Sequence, residues 1–163
     1  DRKLIRVDRD DLTVDMWDEP FHTYGITIDP DGGIWACNKN LGRFDPETET
    51  WETMLVEDWN GYFGHTGGCM IDAEGRIWKS INDKLYAVDY QTFDIVDQVT
   101  LPEGLVWGVA VDYDGYVWGV PRSGDTAYRV DPDTHEIESV GGLVGAYTYS
   151  DMTGFLLISV APG

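Results

Sequence analysis

At 163 residues and 42% hydrophobic content, with no long polar tract, the chain carries enough apolar side chains for one ordinary domain core, which argues against a disordered chain. Thirty acidic residues against 11 basic ones give a net charge of −19, which argues against nucleic acid and anionic membranes, since both require clustered Lys and Arg. No apolar run approaches the roughly 18 residues of a membrane-spanning helix, so membrane insertion is not expected.

In chain order, Leu4 to Asp8 and Leu12 to Trp17 read as two strands joined by a turn. Next comes a unit that recurs about every 40 residues. Its first strand alternates, as in Ile26 and Ile28, and period-two alternation is the strand signature. A turn follows, Asp29-Pro30-Asp31-Gly32, where Asp accepts backbone N–H bonds and Gly takes positive φ at little cost. The returning strand holds Ile34-Trp35. After the polar link Asn38-Lys39-Asn40, a third strand ends at Asp45, an Asp-x-x-Thr turn runs to Thr48, and a fourth strand closes the unit.

The second unit repeats this with Cys69 and Ile71, Asp72 to Gly75, Ile77-Trp78, and Asp89 to Thr92. The third does so with Val109 and Val111, Asp112 to Gly115, Val117-Trp118, and Asp131 to Thr134. Trp35, Trp78 and Trp118 thus stand 43 and 40 residues apart. A decayed fourth copy keeps Asp151 and Gly154 but has Leu157 in place of the Trp.

No window of useful length has apolar residues at helical spacing, so the chain is predicted to be all-β. Four-stranded antiparallel units at this period mean the blades of a β-propeller. Complete blades are expected at about 23–63, 64–104 and 105–143, with half-blades at 1–20 and 144–163, four blade equivalents in a single domain. The halves could pair to close a four-bladed ring. The expectation we favour is that the chain, which opens in mid-unit, is processed or partial and forms about half of a larger ring. Open half-blade edges would then offer self-association.

The run Gly-Ile-Thr-Ile-Asp-Pro-Asp-Gly-Gly-Ile-Trp from Gly25, followed by Gly42-Arg43-Phe44-Asp45-Pro46-Glu47-Thr48, resembles the virginiamycin B lyase-like (streptogramin lyase-like) propellers, a group related in style to NHL propellers. The resemblance covers nearly the whole chain and implies the blade fold. It also implies a chemistry that uses a His with metal-binding Glu residues. The lyases commonly follow the blade Trp with Phe-Thr-Glu, whereas here Ala36-Cys37-Asn38, Lys79-Ser80-Ile81 and Gly119-Val120-Pro121 follow, so the resemblance carries the fold further than the reaction.

The candidate site gathers where the innermost strands begin and the second strands end. That face of a propeller collects His22, Asn38, His65, Asn82, Asp83, Trp107, Arg122 and Tyr147 as ligand-binding candidates. His22 and His65 hold equivalent positions, each three residues before the Gly that opens a blade. They are the catalytic candidates if the protein is an enzyme, acting as general base or on a divalent cation, Ca or Mg; otherwise they cap their loops. The turn carboxylates Asp29, Asp31, Asp112 and Asp114 suggest an ion loop, but no distal Glu follows at EF-hand spacing, and turn chemistry accounts for them. No cofactor is otherwise expected.

Cys37 and Cys69 are placed to meet between adjacent blades, as a disulfide in an oxidising compartment or as two buried thiols. Trp59, Tyr62 and Phe63, in the loop from Glu57 to Gly64, are candidate contact residues or an aromatic plug. The reading carried forward is an exported, non-catalytic binding or assembly module, secreted, periplasmic or at the cell surface, for a protein or carbohydrate ligand. The alternatives are a metal-dependent lyase- or lactonase-like enzyme, and a structural subunit joined edge to edge.

Overall fold

The computed structural model describes residues 2–54 and 66–148. Among them are fourteen β-strands and no helix. β1 (Lys3–Val7) and β2 (Val14–Asp18) form a two-stranded sheet. The first blade is β3 (Gly25–Ile28), β4 (Ile34–Cys37), β5 (Leu41–Asp45) and β6 (Thr50–Met54). The second is β7 (Thr66–Ile71), β8 (Arg76–Ile81), β9 (Lys84–Asp89) and β10 (Ile95–Thr100). The third is β11 (Val106–Val111), β12 (Val117–Pro121), β13 (Gly124–Val130) and β14 (Ile137–Ala146). Neighbours within each blade are antiparallel and run in sequence order, as hairpin turns require. This is the four-stranded propeller blade expected from the repeat, three times over.

The innermost strands β3, β7 and β11 lie side by side, so the blades are stacked face to face about them. Alternation then sends successive side chains into opposite interblade gaps. Between the first two blades, Trp35, Cys37 and Leu41 meet Cys69, Ile71, Ile77 and Val88. Between the next two, Met70, Trp78 and Leu85 meet Val106, Val109, Val111 and Val117. Trp35 and Trp78 are completely buried. At about 25 cal/mol per Å², burying roughly 200 Å² of each ring stabilises by up to ~5 kcal/mol.

A disulfide joins Cys37 of β4 to Cys69 of β7, with Cα atoms 6.3 Å apart and both residues fully buried. It ties the first blade to the second.

The Asp that opens each inner turn is more than a backbone acceptor. Asp29 accepts from Gly33 N at 2.8 Å, Trp35 Nε1 at 2.9 Å and Arg43 Nε at 2.5 Å. Asp72 accepts from Arg76 N at 2.8 Å, Trp78 Nε1 at 2.7 Å and Arg76 Nε at 2.6 Å. Asp112 repeats the pattern with Tyr116 N, Trp118 Nε1 and Arg129 Nε. Burial pushes the Asp29 and Asp112 carboxyls up, but the bonds from Arg, Trp and backbone N–H outweigh it and hold both below the usual carboxylate range. The guanidinium comes from β5 and β13 in two blades and from β8 in the other. Where Arg43 crosses the turn, position 33 is Gly, because a Cβ there would collide with the guanidinium.

Candidate functional site

Each blade has two ends. The Asp-opened turns mark one. The starts of β3, β7 and β11 and the finishes of β4, β8 and β12 mark the other, which is the channel mouth.

At the mouth, the residues leading into successive innermost strands converge. Tyr24 precedes β3, Trp107 is near the start of β11, and Tyr147 follows β14. The Tyr24 and Trp107 rings meet edge to face at 5.3 Å and 88°, and the Trp107 and Tyr147 rings lie 5.7 Å apart. The Tyr24 and Tyr147 hydroxyls are 3.2 Å apart. The guanidinium carbon of Arg122 lies 4.6 Å from the centre of the Trp107 ring and 5.5 Å from that of Tyr147. Arg122 is exposed and Trp107 and Tyr24 are half-buried, so the cluster is anchored from below and open above. Gly67 is the small residue that permits this approach: a Cβ there would run into the Trp107 carbonyl.

Beside the cluster is a cleft of about 270 Å³ lined by Phe21, His22, Asn38, Lys39 and Asn40. His22 Nδ1 lies 3.5 Å from Asn38 Nδ2, and Thr66 Oγ1 donates to Asn38 Oδ1 at 3.0 Å. The Asn38 carbonyl accepts from Nζ of Lys79, a residue with no exposed surface. Burial pushes the Lys79 ammonium down to about 7, since no carboxylate compensates its lost hydration.

The predicted residues therefore separate into groups. Trp107, Arg122 and Tyr147 come together, and His22 joins Asn38. Asn82 and Asp83 form the β8–β9 turn, with Asn82 at φ 53°, and their carbonyls accept from Val106 N at 2.6 Å and Leu101 N at 2.7 Å, which fixes where β11 begins. His65, Trp59, Tyr62 and Phe63 lie outside the described residues. Tyr24 and Lys79 were missed. Tyr24 occupies the position of Trp107 one residue before the blade Gly, and Lys79 follows the blade Trp where the other units have Ala36 and Gly119. Both signals were present in the aligned repeats.

A second cleft, of about 180 Å³, lies at the turn end between the second and third blades and is lined by Glu74, Arg76, Asp114, Tyr116, Asp131 and Asp133 among others. Its charges already serve one another: Arg76 reaches Glu74 at 3.3 Å and Asp133 at 3.8 Å. The mouth is the better candidate site.

No protein-family model and no curated protein sequence matches the chain. Solved structures match in fold. A virginiamycin B lyase from Staphylococcus aureus superposes with a TM-score of 0.72 at 17% identity, over 85% of this chain and 48% of that one. A streptogramin B lyase gives 0.72 at 17% identity, over 85% and 47%. The extracellular domain of BT4673 from B. thetaiotaomicron gives 0.61 at 16% identity, over 86% and 22%. The fold is thus a β-propeller, similar to that of the lyases, and the chain spans about half the length of the lyases it matches.

Proposed function

We propose that this chain is an exported propeller module that binds a ligand at the channel mouth. The observation that carries this reading is the open cluster of Tyr24, Trp107 and Tyr147 with Arg122 laid across two of its rings. Rigid aromatic faces with one oriented polar group are the usual material of a ligand seat, because they lose little entropy on binding. Export is supported by the buried disulfide, which persists in oxidising compartments, and by the extracellular setting of a structure similar in fold.

Titration of carbohydrate and peptide panels, followed by Trp fluorescence, tests the seat. Binding lost in Trp107→Ala at unchanged melting temperature supports it; binding unaffected by that change removes the mouth from consideration. A second reading, edge-to-edge assembly, is favoured by the β1–β2 hairpin, which leaves Ile5, Val7, Val14 and Met16 about half exposed or more. A concentration-independent monomer in sedimentation experiments would end it. The metal-dependent enzyme reading has His22 beside Asn38 as its starting point, and a divalent ion bound in native mass spectra and lost in His22→Ala would promote it.

A further inference from the structure

Arg122 and Arg129 each lie against aromatic rings, one at each end of the blades. At the turn end, Arg129 lies 3.4 Å from the centre of the Tyr116 ring and reaches Asp112 at 3.1 Å, Glu138 at 3.4 Å and Asp114 at 3.5 Å. Its N–H fork is met by carboxylates of the same chain. At the mouth, Arg122 is stacked in the same way, yet among the described residues its guanidinium has no hydrogen bond and no ion pair.

The contrast is sharp because the chain has 30 acidic residues. Asp125, three residues on, accepts from Gly145 N at 3.1 Å. A guanidinium held against ring faces keeps its N–H donors, and those of Arg122, unpaired among the described residues, can give a carboxylate two parallel N–H···O bonds.

Resting on the mouth as ligand seat, we propose that the ligand is a small organic carboxylate bearing a ring: its carboxylate pairs with Arg122, and its ring packs on the exposed part of Tyr147 and Trp107. Tyr147 is 43% exposed and offers the larger open face. A chain of net charge −19 repels anions in general, so selectivity for a carboxylate has to come from this local pairing. An acidic sugar and an aryl acid share this chemistry.

The test uses matched pairs: methyl glucuronide against methyl glucoside, and 3-phenylpropionate against its amide. Binding is read by calorimetry and by the indole ¹⁵N–H resonance of Trp107 in the whole chain. The expected result is that the acid of at least one pair binds tenfold or more tighter than its neutral partner, and that Arg122→Gln removes the difference. Arg122→Lys, which keeps the charge and loses the fork, should retain a minor part. The pair that responds distinguishes sugar from aryl ligand. Equal binding of acid and neutral probes, unchanged in Arg122→Gln, overturns the carboxylate inference and leaves the seat standing. An acid preference that survives Arg122→Gln overturns the role of Arg122. No response of Trp107 to any probe overturns the seat itself, and the inference with it.

Discussion

The two ends of the blades contain similar residue types in opposite states. At the turn end, carboxylate, indole and guanidinium satisfy one another three times: Asp29 with Trp35 and Arg43, Asp72 with Trp78 and Arg76, Asp112 with Trp118 and Arg129. At the mouth, Trp107 and Arg122 lie against each other, and among the described residues no carboxylate pairs with Arg122. The first end ties the strands of each blade to one another; the second is ordered and still has hydrogen-bonding capacity to offer. Substitutions at the turn end should therefore cost stability, and those at the mouth should cost binding.

The largest effect is expected at Asp72, which is 1% exposed. Asp72→Ala leaves the buried Trp78 indole N–H without its acceptor and takes from Arg76 its shortest ion pair, and breaking a buried ion pair from one side costs about 3–5 kcal/mol. Asp112→Ala should cost less, about 1–2 kcal/mol, because the Asp112 and Arg129 side chains are 26% and 20% exposed and water can replace lost bonds. Urea denaturation of both variants checks the order. Equal losses would mean that the third hub is as dry as the second.

Next is the disulfide. Cys37→Ser with Cys69→Ser releases a cross-link between residues 32 apart, for which the chain-entropy relation gives about 3–4 kcal/mol. Denaturant midpoints in the presence and absence of reductant should agree for the variant and differ for the parent.

How much of this was legible in the sequence follows from which signals repeat. The strands, turns and Trp positions recur three times, so the blade could be read by aligning the units. The turn Asp was understood as a backbone acceptor, but its grip on indole and guanidinium was missed. The constant six-residue step from Asp29 to Trp35, Asp72 to Trp78 and Asp112 to Trp118 was the available clue. The arginine was harder to find, because its position shifts from β5 and β13 to β8 while its charge lands on the same carboxylate. At the mouth, the residue types differ from blade to blade. Trp107, Arg122 and Tyr147 were found because they stand at equivalent strand ends, whereas the role of Asn82 and Asp83 as a turn that locates β11 depends on backbone bonds that residue type does not disclose. The cysteine pairing stayed open because spacing cannot decide between a bond and two thiols.

Lys79 should give a smaller, pH-dependent effect. Unfolded, the amine keeps its proton to about 10.5; folded, it does so only to about 7. Between those values unfolding takes up a proton, so stability rises with pH across that window, and below 7 the full burial cost remains. Lys79→Met should therefore stabilise the protein near pH 6 by about 1–4 kcal/mol, the range seen when buried charges are replaced by apolar groups of similar volume. The advantage should shrink steadily from pH 7 towards 10. Urea midpoints at pH 6, 8 and 9.5 test the trend, and a pH-independent difference would assign the effect to packing alone.

The smallest stability change is expected at Arg122, and its smallness is what separates the two ends. An exposed cation on aromatic faces contributes roughly 0.5–1 kcal/mol, so Arg122→Gln should shift the melting temperature by only a few degrees. Arg129→Gln removes a cation of the same kind, also placed on a ring, but leaves Asp112 without its guanidinium and should cost about 1–2 kcal/mol. Thermal melts of the two variants side by side compare a guanidinium that closes a hub with one that stands open. If Arg122→Gln were as damaging as Arg129→Gln, the mouth cluster would be part of the scaffold, and the stacked guanidinium would have a structural reason to be there without any ligand.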